Sequence, residues 1–201
     1  MGRPSAVGLA ALALLLGTAL ADLPIHCVHR QVKGKWKFRI GKASSDPSLR
    51  CGHDVPDRVM TSIQADIRYD NPGFEVAQEM TVALEDPAKA VAEDGTQGTW
   101  TMVYDEAMDV TLGDKSYLAF FRYTPKYGDN SRPDKVEDMF WHCGELLSGW
   151  VRPVDSSKSE SATSCFIAKQ IEGDSVGKKF NDGESTVKTD EDGDDGDDGD
   201  G

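Results

Sequence analysis

The residues of this 201-residue chain that could do chemistry gather near its start. Ala19-Leu20-Ala21 has the small-x-small pattern of a leader-peptidase cut, and Asp22-Leu23-Pro24-Ile25-His26-Cys27 follows it. Cleavage after Ala21 would make Asp22 the first residue of the mature chain. A side-chain carboxylate would then stand beside a free α-amino group, five residues before a cysteine. Such a carboxylate can hold an ammonium group through charge-assisted hydrogen bonds. The four histidines, His26, His29, His53 and His142, each lie close in sequence to Cys27, Cys51 or Cys143. A metal site would have to recruit them, but C-x2-C spacing is absent, so neither a metal nor another cofactor is predicted. Hydrolytic signatures are missing too: there is no G-x-S-x-G, no H-E-x-x-H and no Cys-Gly-Ser-Cys-Trp-like run. No catalytic residue is therefore predicted, and the chain is not expected to catalyse a reaction alone.

The leader reading sets the compartment. Arg3 forms a short basic region, and Ala6 to Leu20 is an uncharged apolar run too short to span a bilayer. Residues 1–21 are accordingly read as a signal peptide, with no membrane span left after its removal. A lysosomal or extracellular address is expected. In that oxidising setting Cys27, Cys51, Cys143 and Cys165 predict two disulfides, with three connectivities open. The net charge of −13 is concentrated at one end. Residues 181–201 carry ten acidic residues against Lys188, and Arg3 lies in the leader, which leaves −5 for residues 22–180. No basic stripe is present, so nucleic acid is not an expected partner.

The elements that must position these residues are strands. Trp36, Phe38 and Ile40 alternate with Lys35, Lys37 and Arg39, and Val59 to Tyr69 alternates in the same way. Phe74, Val76, Met80, Val82 and Leu84 keep one parity after the Asn71-Pro72-Gly73 turn. Further strands are predicted at Thr99–Tyr104, Met108–Leu112, Tyr117–Tyr123, Met139–Cys143, Leu146–Arg152 and Cys165–Ala168, and a helical turn at Asp86–Glu93. Short Gly-, Asp- and Asn-containing connections suit antiparallel hairpins. The longest loops fall at 124–138 and 153–163. The predicted fold is all-β: an up-and-down antiparallel β-barrel of about eight strands, preferred over a sandwich because closure removes exposed edges. Residues 22–170 form this domain, and 171–201 are expected to be a disordered acidic Asp/Gly-rich tail. A calcium loop is disfavoured there, since the required Gly is displaced and the closing Glu is missing. Gly34-Lys35-Trp36 reads as a Trp plugging one barrel end, with Gly admitting another backbone. The same G-x-W opens lipocalins, so a lipocalin-like barrel binding a small apolar ligand is the alternative.

Several motifs in order carry a more specific resemblance. Tyr104-Asp-Glu-Ala-Met-Asp-Val-Thr-Leu-Gly-Asp-Lys-Ser-Tyr-Leu-Ala-Phe-Phe-Arg-Tyr123 closely resembles the exclusion domain of the cathepsin C (dipeptidyl peptidase I) family. Gly34-x-Trp36-x-Phe38, Gly98-x-Trp100, Cys143 followed by Gly149-Trp150-Val151, and the Asp22-x-Pro24-x-x-Cys27 start also match. The resemblance covers roughly Asp22 to Phe166. It implies a β-barrel with the pairs Cys27–Cys143 and Cys51–Cys165, each contributing about 4–5 kcal/mol on a chain-entropy account. It also implies a partner: a papain-like cysteine peptidase catalytic domain whose cleft the barrel blocks. Asp22 would bind the free amino group of a peptide N-terminus, the substrate, so that dipeptides are released. An oligomer is left open.

Trp36, Trp100 and Trp150 are expected in the core. Three features depart from the family pattern. The papain-like part that carries the nucleophile is missing, Thr61–Glu79 looks like an inserted hairpin, and no N-x-S/T sequon occurs. The expected function is therefore a specificity subunit or regulator of a cysteine-type dipeptidyl peptidase. A truncated piece of such a precursor is the alternative.

Overall fold

A computed structural model describes residues 27–46, 48–51, 67–128, 138–155 and 162–180. Among them one short helix, α1 (His29–Val32), precedes nine strands. These are β1 (Gly34–Gly41), β2 (Val76–Glu85), β3 (Lys89–Ala92), β4 (Gln97–Val103), β5 (Ala107–Leu112), β6 (Lys115–Pro125), β7 (Met139–Leu146), β8 (Gly149–Pro153) and β9 (Ser164–Gly173). Each strand from β1 to β7 pairs antiparallel with the next, and β9 returns to pair with β1 from Gly34 to Ile40. β7 pairs with Phe121–Pro125 of β6 and β8 with Lys115–Leu118, both antiparallel. The two short strands thus share one place in the ring, which closes as the predicted eight-position barrel.

Alternation sorts the side chains as the sequence pattern requires. Trp36 and Phe38 on β1 point inward and are fully buried, while Lys37 and Arg39 face out and bind Glu79 of β2 at 2.9 Å each. In the barrel interior Phe38, Tyr117 and Phe166 meet from β1, β6 and β9, with ring centroids 5.4–5.7 Å apart. An eight-stranded barrel is just wide enough for such side chains to fill it. Gly34 has φ +138°, and a Cβ there would strike the Glu172 carbonyl of β9. The close backbone approach read from Gly34-Lys35-Trp36 is therefore what closes the barrel. The Trp36 indole completes the plug by donating to the Val32 carbonyl at 2.7 Å.

Several local expectations are corrected. Asp86–Glu93 holds a turn and then β3, not a helical turn, because Ala90 and Ala92 face the core between β2 and β4. Pairing on both sides overrides the helix preference of an Ala-rich run. The single strand expected at 146–152 is interrupted at Leu147 and Ser148, where Leu146 and Leu147 are both buried. Trp150 faces outward under Arg152, whose guanidinium lies 4.9 Å from its ring centroid, and Trp141 takes a core place instead. Of the strand expected at 59–69, the described part, 67–71, is a turn with a bridge between Arg68 and Asn71. β9 runs on to Gly173, and Phe180 bridges Trp141, so the fold extends ten residues past the boundary expected at 170.

Both disulfides form with the implied pairing: Cys27–Cys143 and Cys51–Cys165, at Cα separations of 5.5 and 5.0 Å. The first ties the segment before β1 to β7. The second lies at the far end of β1, where Gly41 abuts the Cys165 carbonyl. Removing the shared aromatic packing is expected to dominate over removing surface charge. Phe38→Ala should lower unfolding free energy by about 3–5 kcal/mol in a denaturant titration. Lys37→Ala, at the neighbouring but outward position, should leave the unfolding midpoint close to that of the parent. Comparable losses for the two variants would contradict the inward assignment of Phe38.

Candidate functional site

The segment that leads away from the barrel toward Asp22 is held by a dense set of contacts from Cys27 to Lys33. Besides its disulfide, Cys27 donates its N–H to the Asp105 carbonyl at 3.0 Å, in the turn between β4 and β5. Val28 donates to Gln31 Oε1 at 2.8 Å, which tightens the single turn of α1. The His29 ring stacks on Trp100 of β4, with centroids 4.4 Å apart, and its two nitrogens approach Asp86 and the Pro87 carbonyl. Trp100 is itself buried and donates to the Glu85 carbonyl at 2.9 Å.

Gln170 on β9 is the hub of this anchor. Its amide Nε2 reaches the carbonyls of Gln31, Val32 and Lys33 at 3.0, 3.4 and 2.9 Å. Its Oε1 accepts the Ser175 N–H at 2.9 Å. A buried amide thereby satisfies the carbonyls at the end of a one-turn helix too short to satisfy its own. At the rim Lys33 pairs with Asp86 at 2.7 Å. The hydrogen bond that Lys33 donates to Asp86 raises the Lys33 pKa and lowers that of Asp86.

Asp22 and His26 lie outside the described residues, as does His53. His29 and His142 serve separate surroundings, one stacked on Trp100 and the other hydrogen-bonded to Thr124 Oγ1 at 3.0 Å. Sequence reasoning missed α1 and Gln170. A polar residue at an inward position of β9, two after Ala168 and four after Phe166, was the available signal.

A second polar group sits on the outer wall of β6 and β7. Arg122 and His142 are partners across the two strands and are only 4% and 8% exposed. Arg122 donates to the Ile67 carbonyl at 3.2 Å and stands 3.6 Å from Glu145. Burial lowers the His142 pKa to about 4, helped by the positive charges of Arg122, Lys179 and Arg68. Burial likewise lowers that of Arg122, with Arg68 adding to it and Glu145 opposing.

Two measurements follow from these groups. Gln170→Ala takes the side-chain donor from the Gln31 and Lys33 carbonyls, Val32 keeping its bond from Trp36, and should cost about 1–3 kcal/mol, with faster amide exchange in residues 27–33. Unchanged exchange there would remove Gln170 as the hub. His142 is neutral in folded and unfolded chains above pH 6.5, but between about 6.5 and 4 only the unfolded chain takes up the proton. Stability should therefore fall with pH across that window, by at most about 3 kcal/mol. His142→Gln should flatten this slope, and identical slopes for parent and variant would refute the assignment.

A family model described as the cathepsin C exclusion domain matches residues 22–170. Cathepsin C of Schistosoma mansoni is 28% identical over 132 residues, covering 64% of this chain and 24% of the relative. Dipeptidyl aminopeptidase 1 of Plasmodium falciparum (isolate 3D7) is 26% identical over 189 residues, covering 76% of this chain and 26% of the relative. The chain thus spans about a quarter of the length of these curated relatives.

Proposed function

The chain belongs to the cathepsin C exclusion-domain family, and on that premise we propose that it binds a papain-like cysteine peptidase catalytic domain and restricts it to dipeptide release. The barrel blocks the cleft, and Asp22, exposed by removal of residues 1–21 in the secretory pathway, binds the amino group of a peptide N-terminus. The observation that carries this reading is the family match from Asp22 onward, joined to the anchor that fixes Cys27. Five residues separate Asp22 from Cys27, and an extended chain covers at most about 3.6 Å per residue, so a fixed Cys27 confines Asp22 to within about 18 Å of it.

Chemistry supports the role of each part. A carboxylate distinguishes an ammonium from a continuing peptide by a charge-assisted bond worth roughly 1.5–3 kcal/mol. An internal peptide lacks that charge and meets the barrel as a steric stop, so attraction and exclusion act together. Lysosomal or extracellular operation agrees with two disulfides in a chain of this size. A second reading rests on length: covering a quarter of its relatives, the chain can act as the exclusion portion of a longer peptidase. The role of the barrel is then the same, supplied in cis.

Reconstitution tests both. The chain beginning at Asp22 is added to a dipeptidyl aminopeptidase catalytic domain that lacks its own barrel, and cleavage of a blocked internal substrate and of a free-amino dipeptide substrate is followed. Internal cleavage should fall while dipeptide release rises. Asp22→Asn should preserve the block yet lower kcat/KM for dipeptide release by about 10- to 100-fold, the rate equivalent of 1.5–3 kcal/mol. No change in either activity would sink the proposal. An unchanged kcat/KM in the Asn variant would remove Asp22 alone.

A further inference from the structure

Five lysines of the barrel are neutralised where they stand. Lys33 pairs with Asp86, Lys35 with Glu172, Lys37 with Glu79, Lys42 with Glu75 and Lys89 with Glu85, all within 2.6–3.4 Å. Two of the other lysines share one aromatic ring. Lys126, just after β6, and Lys179, after β9, both reach over the ring of Phe140 on β7, with Nζ 5.4 and 5.8 Å from its centroid. Neither makes an ion pair among the described residues. Burial lowers the pKa of the neighbouring His142, and Arg122, Lys179 and Arg68 lie close enough to add to that effect. Glu145 is the carboxylate set against Arg122 here, and it is half-exposed. Among the described residues this face gathers Lys126, Lys179, Arg122 and Arg68, with Glu145 and with Asp138, whose carbonyl accepts the Lys126 N–H, although residues 22–180 carry −5.

Phe180, the last described residue, lies beside this face. Phe180 exchanges two backbone hydrogen bonds with Trp141, at 2.9 and 3.1 Å, and Trp141 is the residue after Phe140. The next 21 residues, 181–201, bring ten carboxylates against Lys188 alone.

We propose that the acidic segment 181–201 docks back on the Lys126–Phe140–Lys179 face of its own barrel. Asp192 is twelve residues past Phe180, and an extended chain covers at most about 3.6 Å per residue, so the Asp/Gly run that begins there is within reach of the face. Tethering gives an effective concentration on the order of millimolar. Many weak carboxylate–ammonium contacts can then share the load, where one exposed pair contributes little. A contact made by surface charges is salt-labile: the Debye length falls from about 10 Å at 0.1 M to about 3 Å at 1 M. This inference does not rest on the peptidase reading.

Carbodiimide coupling of the chain beginning at Asp22, followed by peptide mapping, tests it. Lys179 lies too near the segment in sequence to be informative, so Lys126 is the probe and Lys115, at the opposite end of β6, the reference. In low salt Lys126 should couple to residues 181–201 at least about tenfold more than Lys115, and the excess should vanish near 1 M salt. The yield should not depend on protein concentration, and Phe140→Ala with Lys179→Ser should reduce it. Equal coupling of Lys126 and Lys115 would overturn the proposal. Coupling that rises with protein concentration would also overturn it, since the acidic segment would then be meeting a second copy.

Discussion

Closure of the sheet between β1 and β9 is the constraint on which the other features depend. A curved antiparallel sheet with an open edge would leave backbone donors and acceptors exposed along β1 and β9. Here those groups pair from Gly34 to Ile40, at the cost of a backbone approach so close that Gly34 admits no side chain. The closed wall fixes which residues face inward, and Phe38, Tyr117 and Phe166 then pack against one another from three strands. The two disulfides act at the two ends of this closed unit. Each links residues more than 110 apart in sequence, so each removes a large loop from the unfolded ensemble.

The same closure explains how the segment before β1 is held. β9 supplies Gln170 to three successive carbonyls of the incoming chain, which only a strand adjacent to β1 can do. The turn between β4 and β5 supplies the Asp105 carbonyl to Cys27, and β7 supplies Cys143. Three widely separated parts of the sequence thus converge on the residues that lead to Asp22. For a group whose proposed work is selecting an amino terminus, a fixed origin matters, because orientation rather than charge alone sets what a carboxylate can discriminate.

The outer wall carries a different economy. Arg122 and His142 would ordinarily be solvated on the outside of a barrel, yet the 67–71 turn covers this wall and leaves both nearly inaccessible. Tyr69 in that turn is clasped between Arg39 and Lys169, each 4.4 Å from its ring centroid. The attachment of this turn uses cation–aromatic and backbone contacts to a wall that carries charged side chains. The cost is a histidine that resists protonation beside a cluster of cations.

Period-2 alternation, turn residues and an even cysteine count by themselves determined an antiparallel all-β domain with two disulfides, because inward and outward positions on a strand demand different chemistry. They also determined that Gly34 and Trp36 belong to a close, plugged barrel end. Which cysteines pair was not legible from spacing, since connectivity is a distance in three dimensions. The sequence marked Asp86–Glu93 as a helical turn and Trp150 as core, and both readings failed because neighbouring strands, not local preference, set the pairing and the facing of each residue. Gln170 was invisible as an anchor for the same reason: its partners lie nearly 140 residues earlier, and only barrel closure brings them within hydrogen-bonding reach.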